Sequence, residues 1–475
     1  MSAVQFLLNG SPVSEDSASP SMTVLDWLRA RARLSGTKEG CAEGDCGACT
    51  IVLGRAVEGS LQYEAVNSCL MMLPQIANCD VLTVEGLAVG SLHPVQQAMV
   101  DTNATQCGFC TPGFVMAMFA FHHGGEGPDE SIIHEALAGN LCRCTGYRSI
   151  VEACQRIAHG PADRFALGKT ARAQALASLP PCPHYRTGAQ VFIRPRTLGE
   201  LFAALAELPD ALLLAGGTDL GLRASKDREV IPAIIALDAI NDLRQIESSA
   251  DALELGGAVT YTQALPHLDR HFPSFAALVR RIGSRQIRNL GTIAGNLATA
   301  SPIGDTIPCL IALDATVRIA SPAGERTMSV ESFITGYRKT ALLPGEAITA
   351  IRIPLLDADA EFSAYKLSKR FDQDISTVVA GFHLQRRNGR VHALRAAYGG
   401  MAPRAMRAIN VEAALREQPW TLATLGDIEA VLARDFTPIS DHRGGGAYRL
   451  RAGANLIRRF QIETASDALV RLEAL

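Results

Sequence analysis

Aromatic residues are scarce in this 475-residue chain, at 5 % with only two tryptophans, and several larger features are missing altogether. No apolar run approaches the ~18 residues that a membrane span needs, because the longest are broken by Gly, His or Asp. The first ten residues lack a basic stretch followed by a long apolar core, so they do not read as an export signal. The expectation is a soluble, cytoplasmic protein. Positive charge is not in surplus either: Lys plus Arg is 45 against 48 Asp plus Glu, a formal charge of −3, which argues against a nucleic-acid partner. At 48 % hydrophobic and 20 % charged residues, the composition excludes a mostly disordered chain. The length suits roughly three domains at about 150 residues each.

Cysteine is nearly absent from the later part of the chain. Of the 12, ten lie within residues 1–154, leaving Cys182 and Cys309 beyond them. A secreted disulfide scaffold would be shorter and would carry an export signal. Clustered thiols in a reducing compartment instead read as metal ligands.

Organisation changes along the chain at residues 86, 158, 187 and 356. Residues 1–86 read as a small mixed sheet, with strands over 4–8, 49–53, 62–66 and 81–84 and a hairpin turn at Asn9-Gly10. Thr23, three residues before Asp26, caps a helix. Residues 87–158 read as a bundle of four helices; Pro94 and Pro112 open the first two, and 132–138 and 150–158 supply the others. His122 and His123, next to a Gly-rich turn, read as a solvated loop. Residues 159–187, with Pro161 and Pro180, read as a partly helical linker in which Cys182 is incidental. Residues 188–356 alternate strand and helix signals, as an α/β domain does. Residues 357–475 read as strands over 376–384 and 391–398 followed by helices. The fold class is multidomain α+β.

Two cysteine constellations carry the chemistry. Cys41, Cys46 and Cys49 follow a Cys-x4-Cys-x2-Cys pattern among Gly40, Gly44 and Gly47. That spacing suits a plant-type loop around a 2Fe-2S cluster. Glycine lets such a loop bend and turn N–H groups toward anionic sulfur. Spacing alone leaves the fourth ligand open between Cys69 and Cys79; Cys69 is preferred, because it ends a strand at the start of a short apolar element able to fold over the loop. The second constellation pairs Cys107-x2-Cys110 with Cys142-x-Cys144, each pair placed to open a helix, where unpaired N–H groups favour thiolates. Cys-x-Cys is uncommon for zinc, whose chelating pairs are set wider. Cys154 reads as core.

With Asn67-Ser68-Cys69-Leu70, Gln106-Cys107-Gly108-Phe109-Cys110-Thr111-Pro112 and the run from Gly139 to Arg148, residues 1–158 resemble the iron–sulfur portion of the molybdenum hydroxylases. The resemblance implies a ferredoxin-like β-grasp domain and a four-helix domain, each holding a 2Fe-2S cluster through four of these eight cysteines. Two Gly-rich turns extend it: Leu213, Leu214, Ala215, Gly216, Gly217, Thr218, Asp219 and Leu220, then Thr292, Ile293, Ala294, Gly295 and Asn296 after a basic stretch. Neither G-x-G-x-x-G nor a Walker P-loop is present. The turns resemble the family's non-Rossmann FAD-binding domain, followed by its C-terminal flavoprotein domain. The resemblance implies that these residues contact FAD, that Asp305 meets the ribityl chain, that Lys366 lies beside the flavin, and that 369–374 approach a nicotinamide. No general base is required.

Iron–sulfur followed by FAD resembles the order in the purine-hydroxylating branch of that family, without the molybdenum-binding part. The implied function is therefore electron transfer within a two-subunit enzyme. A molybdopterin-bearing large subunit would hydroxylate a purine, and electrons would pass through the two clusters and FAD to NAD. The implied assembly is a heterotetramer of two small and two large subunits. Related readings are the same subunit serving another N-heterocycle or an aldehyde, and a free-standing NADH-dependent reductase.

Overall fold

The computed structural model describes residues 3–127, 129–157 and 163–465. Pro161 and the last of the expected C-terminal helical residues, 466–475, lie outside the described residues. The chain divides into two compact units: Met1–Ile240 with Gly283–Gly291, and Asn241–Ile282 with Thr292–Leu475. The stretch 188–356 is thus shared between them.

In the first unit, Val4–Leu8 and Ser11–Glu15 pair antiparallel across Asn9-Gly10, whose φ values of 52° and 86° are the left-handed pair that such a hairpin demands. They edge a five-stranded sheet that continues through Asp80–Leu82, Thr50–Val57 and Ser60–Asn67. The strand expected over 81–84 stops earlier, at Leu82, and Val84–Gly86 forms a 3₁₀ turn. Thr23 accepts the Asp26 N–H at 3.0 Å, capping helix Val24–Ala30, an interaction worth about 1 kcal/mol. The capped helix sets Trp27 edge-on to Phe6, ring centroids 5.2 Å apart.

The four helices are Pro94–Asp101, Thr111–Gly124, Glu130–Leu137 and Arg148–Ile157. Thr111–Gly124 is buried along its whole middle, Gly113 to Phe121, rather than on one face. A helix apolar all round belongs at the centre of its domain. Residues 163–187 do not behave as a tether. Helices Arg164–Leu167 and Lys169–Ala177 put Phe165, Ala173 and Leu176 into the same core as the bundle. Cys182 is buried against the β-sheet core. A further sheet, His184–Thr187, Gln190–Ile193, Ala233–Ala236 and Leu212–Leu214, is parallel across its last three strands.

His122 and His123 end the central helix instead of forming a loop. Nδ1 of His122 donates to the Ile157 carbonyl at 3.0 Å. His123 and His93 both meet one oxygen of Asp163, at 3.0 and 2.6 Å, and all three side chains are almost completely buried. Nδ1 of His93 accepts the Val95 N–H, so its Nε2 carries the proton and donates to Asp163. That tautomer spends the lone pair a cation would need, and the trio is a hydrogen-bonded clamp holding residue 163 to the bundle.

The second unit holds a five-stranded antiparallel sheet, in order Ile246–Ser248, Ala252–Gly256, Ala347–Pro354, Thr316–Ser321 and Gly324–Ser329. Helices Tyr261–His271, Pro273–Arg280, Ile293–Thr299 and Thr306–Ala312 share its core. A second antiparallel sheet of Ala360–Leu367, Val378–Arg387, Arg390–Gly399 and Met406–Arg407 packs on the helix Gly446–Ala465. Buried Arg449 on that helix donates to the carbonyls of Thr377 and Gly400.

The clamp sets a pH dependence. Burial alone would raise the Asp163 carboxyl, but hydrogen bonds from His123, His93 and the Ala166 N–H outweigh it and hold it well below the usual carboxylate range. Its stabilisation is therefore present above the unfolded value of about 4 and is lost as pH falls through the lower folded value. Asp163→Asn is expected to cost on the order of 2 kcal/mol at pH 7, read from denaturant midpoints, with the gap to the parent closing below about pH 4. Equal midpoints at pH 7 would remove the clamp.

Candidate functional site

The first cysteine loop runs between the helix Val24–Ala30 and the strand Thr50–Val57. Gly44 and Gly47 take φ values of 76° and 67°, and these two reversals turn successive N–H groups inward. Sγ of Cys41 accepts from the N–H groups of Glu43, Asp45 and Cys46 at 3.3–3.4 Å. A hydrogen bond from the Cys46 thiol, opposed by burial and helped by those N–H groups, brings Cys41 down to about 5. Cys46 is raised in turn. Cys49 and Cys69 lie 3.3 Å apart, sulfur to sulfur, both buried. The hydrogen bond between them outweighs burial to lower Cys49, and it adds to burial to raise Cys69. Cys79 sits elsewhere, in the sheet core with Arg55 at 3.4 Å from its sulfur. The four sulfurs of Cys41, Cys46, Cys49 and Cys69 are grouped two and two, a donor set that fits the two irons of a 2Fe-2S cluster.

The second set is likewise paired: Cys110 with Cys142, and Cys107 with Cys144, in hydrogen-bond contact. Cys110 is the cap residue of Thr111–Gly124, as expected. Cys142 and Cys144 do not open a helix directly; they sit in the loop before Arg148–Ile157. There Thr145 supplies the donors, its Oγ1 lying 3.2 Å from Cys142 Sγ. Burial raises Cys110 to about 12; for Cys142, burial works against the Thr145 hydrogen bonds, which win and lower it. Cys107 and Cys144 are exposed, and so are Phe109, Leu141 and Tyr147 around them. Cys154 is core, as expected.

The two loops lie back to back. The Leu141 N–H donates to the Cys46 carbonyl at 3.0 Å, and Asn140 Nδ2 donates to the Gly47 carbonyl at 2.9 Å. Asn140 entered the sequence reading only as part of the run from Gly139 to Arg148, without a role, and the residue that holds it, Gln286, escaped it. The stretch around Gln286 registered there only as basic, although Arg285 and Arg288 are committed to Glu126 and Glu135.

The expected flavin residues fall in both units. In the first, Leu213 and Leu214 end the strand Leu212–Leu214, and Ala215 to Thr218 turn toward the short helix Gly221–Ser225 with Asp219 exposed and Leu220 half-buried. Gly217 has φ 82°. A Cβ on Gly216 would stand 1.8 Å from the Leu290 carbonyl oxygen. The turn is partly exposed, and such a glycine bend offers backbone donors of the kind a diphosphate takes. In the second unit, Thr292 accepts the Gly295 N–H at 2.8 Å and caps Ile293–Thr299. Ile293 and Ala294 are buried, which leaves Gly295 and Asn296 on the open side. Asn296 Oδ1 accepts from Thr306. Asp305 stands at the N-cap of Thr306–Ala312, but its side chain makes no capping bond there; it forms a buried ion pair with Lys366 and accepts from Ser376 at 2.5 Å. Lys366, far from solvated, is nearly inaccessible. In the 369–374 segment, exposed Phe371 carries the Arg281 guanidinium 4.4 Å above its ring.

Comparison with known proteins covers the chain in four stretches. The 2Fe-2S iron-sulfur cluster binding domain matches 6–73 and the 2Fe-2S binding domain 83–155. The FAD binding domain in molybdopterin dehydrogenase matches 185–356, and the CO dehydrogenase flavoprotein C-terminal domain 363–464. The chain is 32 % identical to a xanthine dehydrogenase of Emericella nidulans over 99 % of its own length and 39 % of that protein's. It is 30 % identical to a xanthine dehydrogenase/oxidase of Gallus gallus, covering 94 % of this chain and 38 % of that one. The chain therefore spans under two fifths of these curated relatives. Among solved structures, carbon monoxide dehydrogenase from Hydrogenophaga pseudoflava aligns with TM-score 0.54 and 27 % identity over 56 % of this chain and 94 % of its own. Quinoline 2-oxidoreductase from Pseudomonas putida 86 aligns with TM-score 0.54 and 29 % identity over 59 % and 98 %.

The tight passage at Gly216 has a direct consequence. Gly216→Ala drives a methyl group into backbone, which cannot rotate away, and is expected to cost about 1–3 kcal/mol. A lowered thermal midpoint with less bound flavin checks this; an unchanged midpoint would mean that the passage is slack.

Proposed function

The chain belongs to the molybdenum hydroxylases, with that family's two 2Fe-2S domains and its FAD domain in one polypeptide, and on that premise we propose that it is the electron-transfer subunit of a xanthine dehydrogenase. The observation that carries the proposal is the back-to-back placement of two paired cysteine quartets, joined by the Leu141 N–H to Cys46 carbonyl bond. Cys107, Cys110, Cys142 and Cys144 hold the cluster on the outer side; Cys41, Cys46, Cys49 and Cys69 hold the one within. When bound, the clusters carry single electrons and the flavin pairs them for hydride transfer to NAD.

The residues of the chain position and tune. N–H groups of Glu43, Asp45 and Cys46 stabilise negative charge on sulfur, as do Thr145 and Asn67. Gly216, Gly217, Thr292, Gly295 and Asn296 receive the flavin nucleotide, with Leu213, Leu214, Ala215, Thr218, Asp219, Leu220, Ile293 and Ala294 shaping the turns. The Asp305–Lys366 pair keeps both charges fixed at the flavin. Exposed Gln106 and Cys107, together with the exposed Phe109, Leu141 and Tyr147 of the same two cysteine segments, call for a covering surface, and a molybdopterin-bearing large subunit that hydroxylates hypoxanthine or xanthine supplies it. We place the assembly in the cytoplasm as two small and two large subunits. A second reading, service to another N-heterocycle, is favoured by the 29 % identity to quinoline 2-oxidoreductase.

Co-purification of the tagged chain from its host, with iron, flavin and molybdenum analysis, tests the proposal. The expected result is ~4 iron and one flavin per chain, a larger molybdenum-bearing companion, and NAD reduction with xanthine. Reduction by quinoline-type substrates alone would select the second reading; a colourless zinc protein would end both. Within the loaded protein, Cys69→Ser is expected to abolish the inner cluster's paramagnetic signal and Cys79→Ser to leave it, and the reverse would reassign the fourth ligand.

A further inference from the structure

Gln286 lies far along the chain from either cysteine loop, yet it is fully buried in the first unit, where the two loops meet. Its Nε2 donates to Asn140 Oδ1 at 2.9 Å and reaches Thr50 Oγ1 at 3.3 Å. Asn140, two residues before Cys142, passes the contact on through Nδ2 to the Gly47 carbonyl and to Thr50 Oγ1, at 2.9 and 3.2 Å. Thr50 Oγ1 closes the ring by donating to that same carbonyl at 2.7 Å. Gly47 lies between Cys46 and Cys49, and Thr50 follows Cys49. One amide therefore grips a residue of each loop.

The fit leaves no slack. A Cβ on Gly139 would stand 2.0 Å from Gln286 Oε1, and a Cβ on Gly113, three residues past Cys110, 2.4 Å from the Gly47 oxygen. Among the described residues, Oε1 of Gln286 has no hydrogen-bond partner. The segment that delivers Gln286 is itself anchored on both sides. Arg285 pairs with Glu126 and Glu135, and Arg288 with Glu135, on the helical domain. Asn289 Nδ2 donates to the Ala65 carbonyl at 2.8 Å on the sheet, and Ile287 packs against Leu70, next to Cys69.

The geometry points to Gln286 as a positioning residue that sets the separation and orientation of the two cysteine loops, and hence of the two iron–sulfur centres. This rests on the electron-transfer function proposed above. An electron leaving the outer centre oxidises it by one unit and reduces the inner centre by one, with no proton to move, so the distance and contact between the loops govern the step. Gln286 acts through Asn140 and Thr50, the residues its amide donates to.

The test is the magnetic interaction between the two centres in the fully loaded, chemically reduced protein, read by electron paramagnetic resonance at low temperature. Gln286→Met keeps the length of the side chain and removes its hydrogen bonds. The expected result is full iron and flavin content, a spin–spin splitting that differs from the parent's, and slower filling of the inner centre when the outer is reduced. Full loading with an unchanged splitting overturns the proposal. So does loss of one centre, which would make Gln286 a part of cluster binding. Should Gln286→Met fail to fold, Gln286→Asn, which keeps the amide but shortens its reach, is read by the same two outcomes. A parent protein with no iron would sink the proposed function instead, before any variant is made.

Discussion

Backbone packed directly against backbone, at Gly47, Gly113 and Gly139, is the constraint on which the iron–sulfur half of the molecule depends. A side chain at Gly47 would meet the Gly139 carbonyl oxygen at 2.2 Å, so the two cysteine loops approach as closely as polypeptide allows. The Leu141 N–H to Cys46 carbonyl bond then makes the contact directional. With the Cys46 and Gly47 carbonyls both accepting bonds from the second loop, neither loop can shift without breaking buried hydrogen bonds. Function that depends on the distance between two centres is well served by such a joint, since a rigid scaffold holds a site more closely than a mobile loop does.

Charge is used around this joint for placement more than for stability. Arg288 is almost fully buried and pairs with the half-buried Glu135. Burial alone would raise Glu135, and the adjacent Arg285 and Arg288 outweigh it and lower its carboxyl. Desolvating such groups costs much of what their attraction returns. What the network secures is register, since the segment Gly283–Gly291 seats where both guanidinium groups find their carboxylates. The Asp305–Lys366 pair in the second unit follows the same logic: each charge is buried only because the other is there.

Local features of the fold were legible because their causes are local. Asn9-Gly10 makes a hairpin turn, Thr23 caps a helix, and Pro94 and Pro112 begin helices, each through constraints acting within a few residues. The misreadings share the opposite cause. His123 looked solvated beside a Gly-rich turn, but Asp163, 40 residues on, draws it inward. The stretch 163–187 looked like a linker by composition, yet Phe165 and Leu176 complete the bundle core. Asp305 and Lys366 were each singled out only through the resemblance, and their pairing with each other spans 61 residues of chain.

Cysteine spacing within each loop determined the cofactor class from the sequence alone, because ligands a few residues apart are held together by covalent geometry. The order of the motifs likewise determined the family. Spacing left Cys69 and Cys79 open, the strand end favoured Cys69, and the fold stands Cys69 beside Cys49; tertiary structure alone decided that the two loops share one joint and that Gln286 enters it. Those contacts join residues from 20 to 236 positions apart. Nothing in the local chain encodes such separations; they arise only when several cores and one buried polar network are satisfied together.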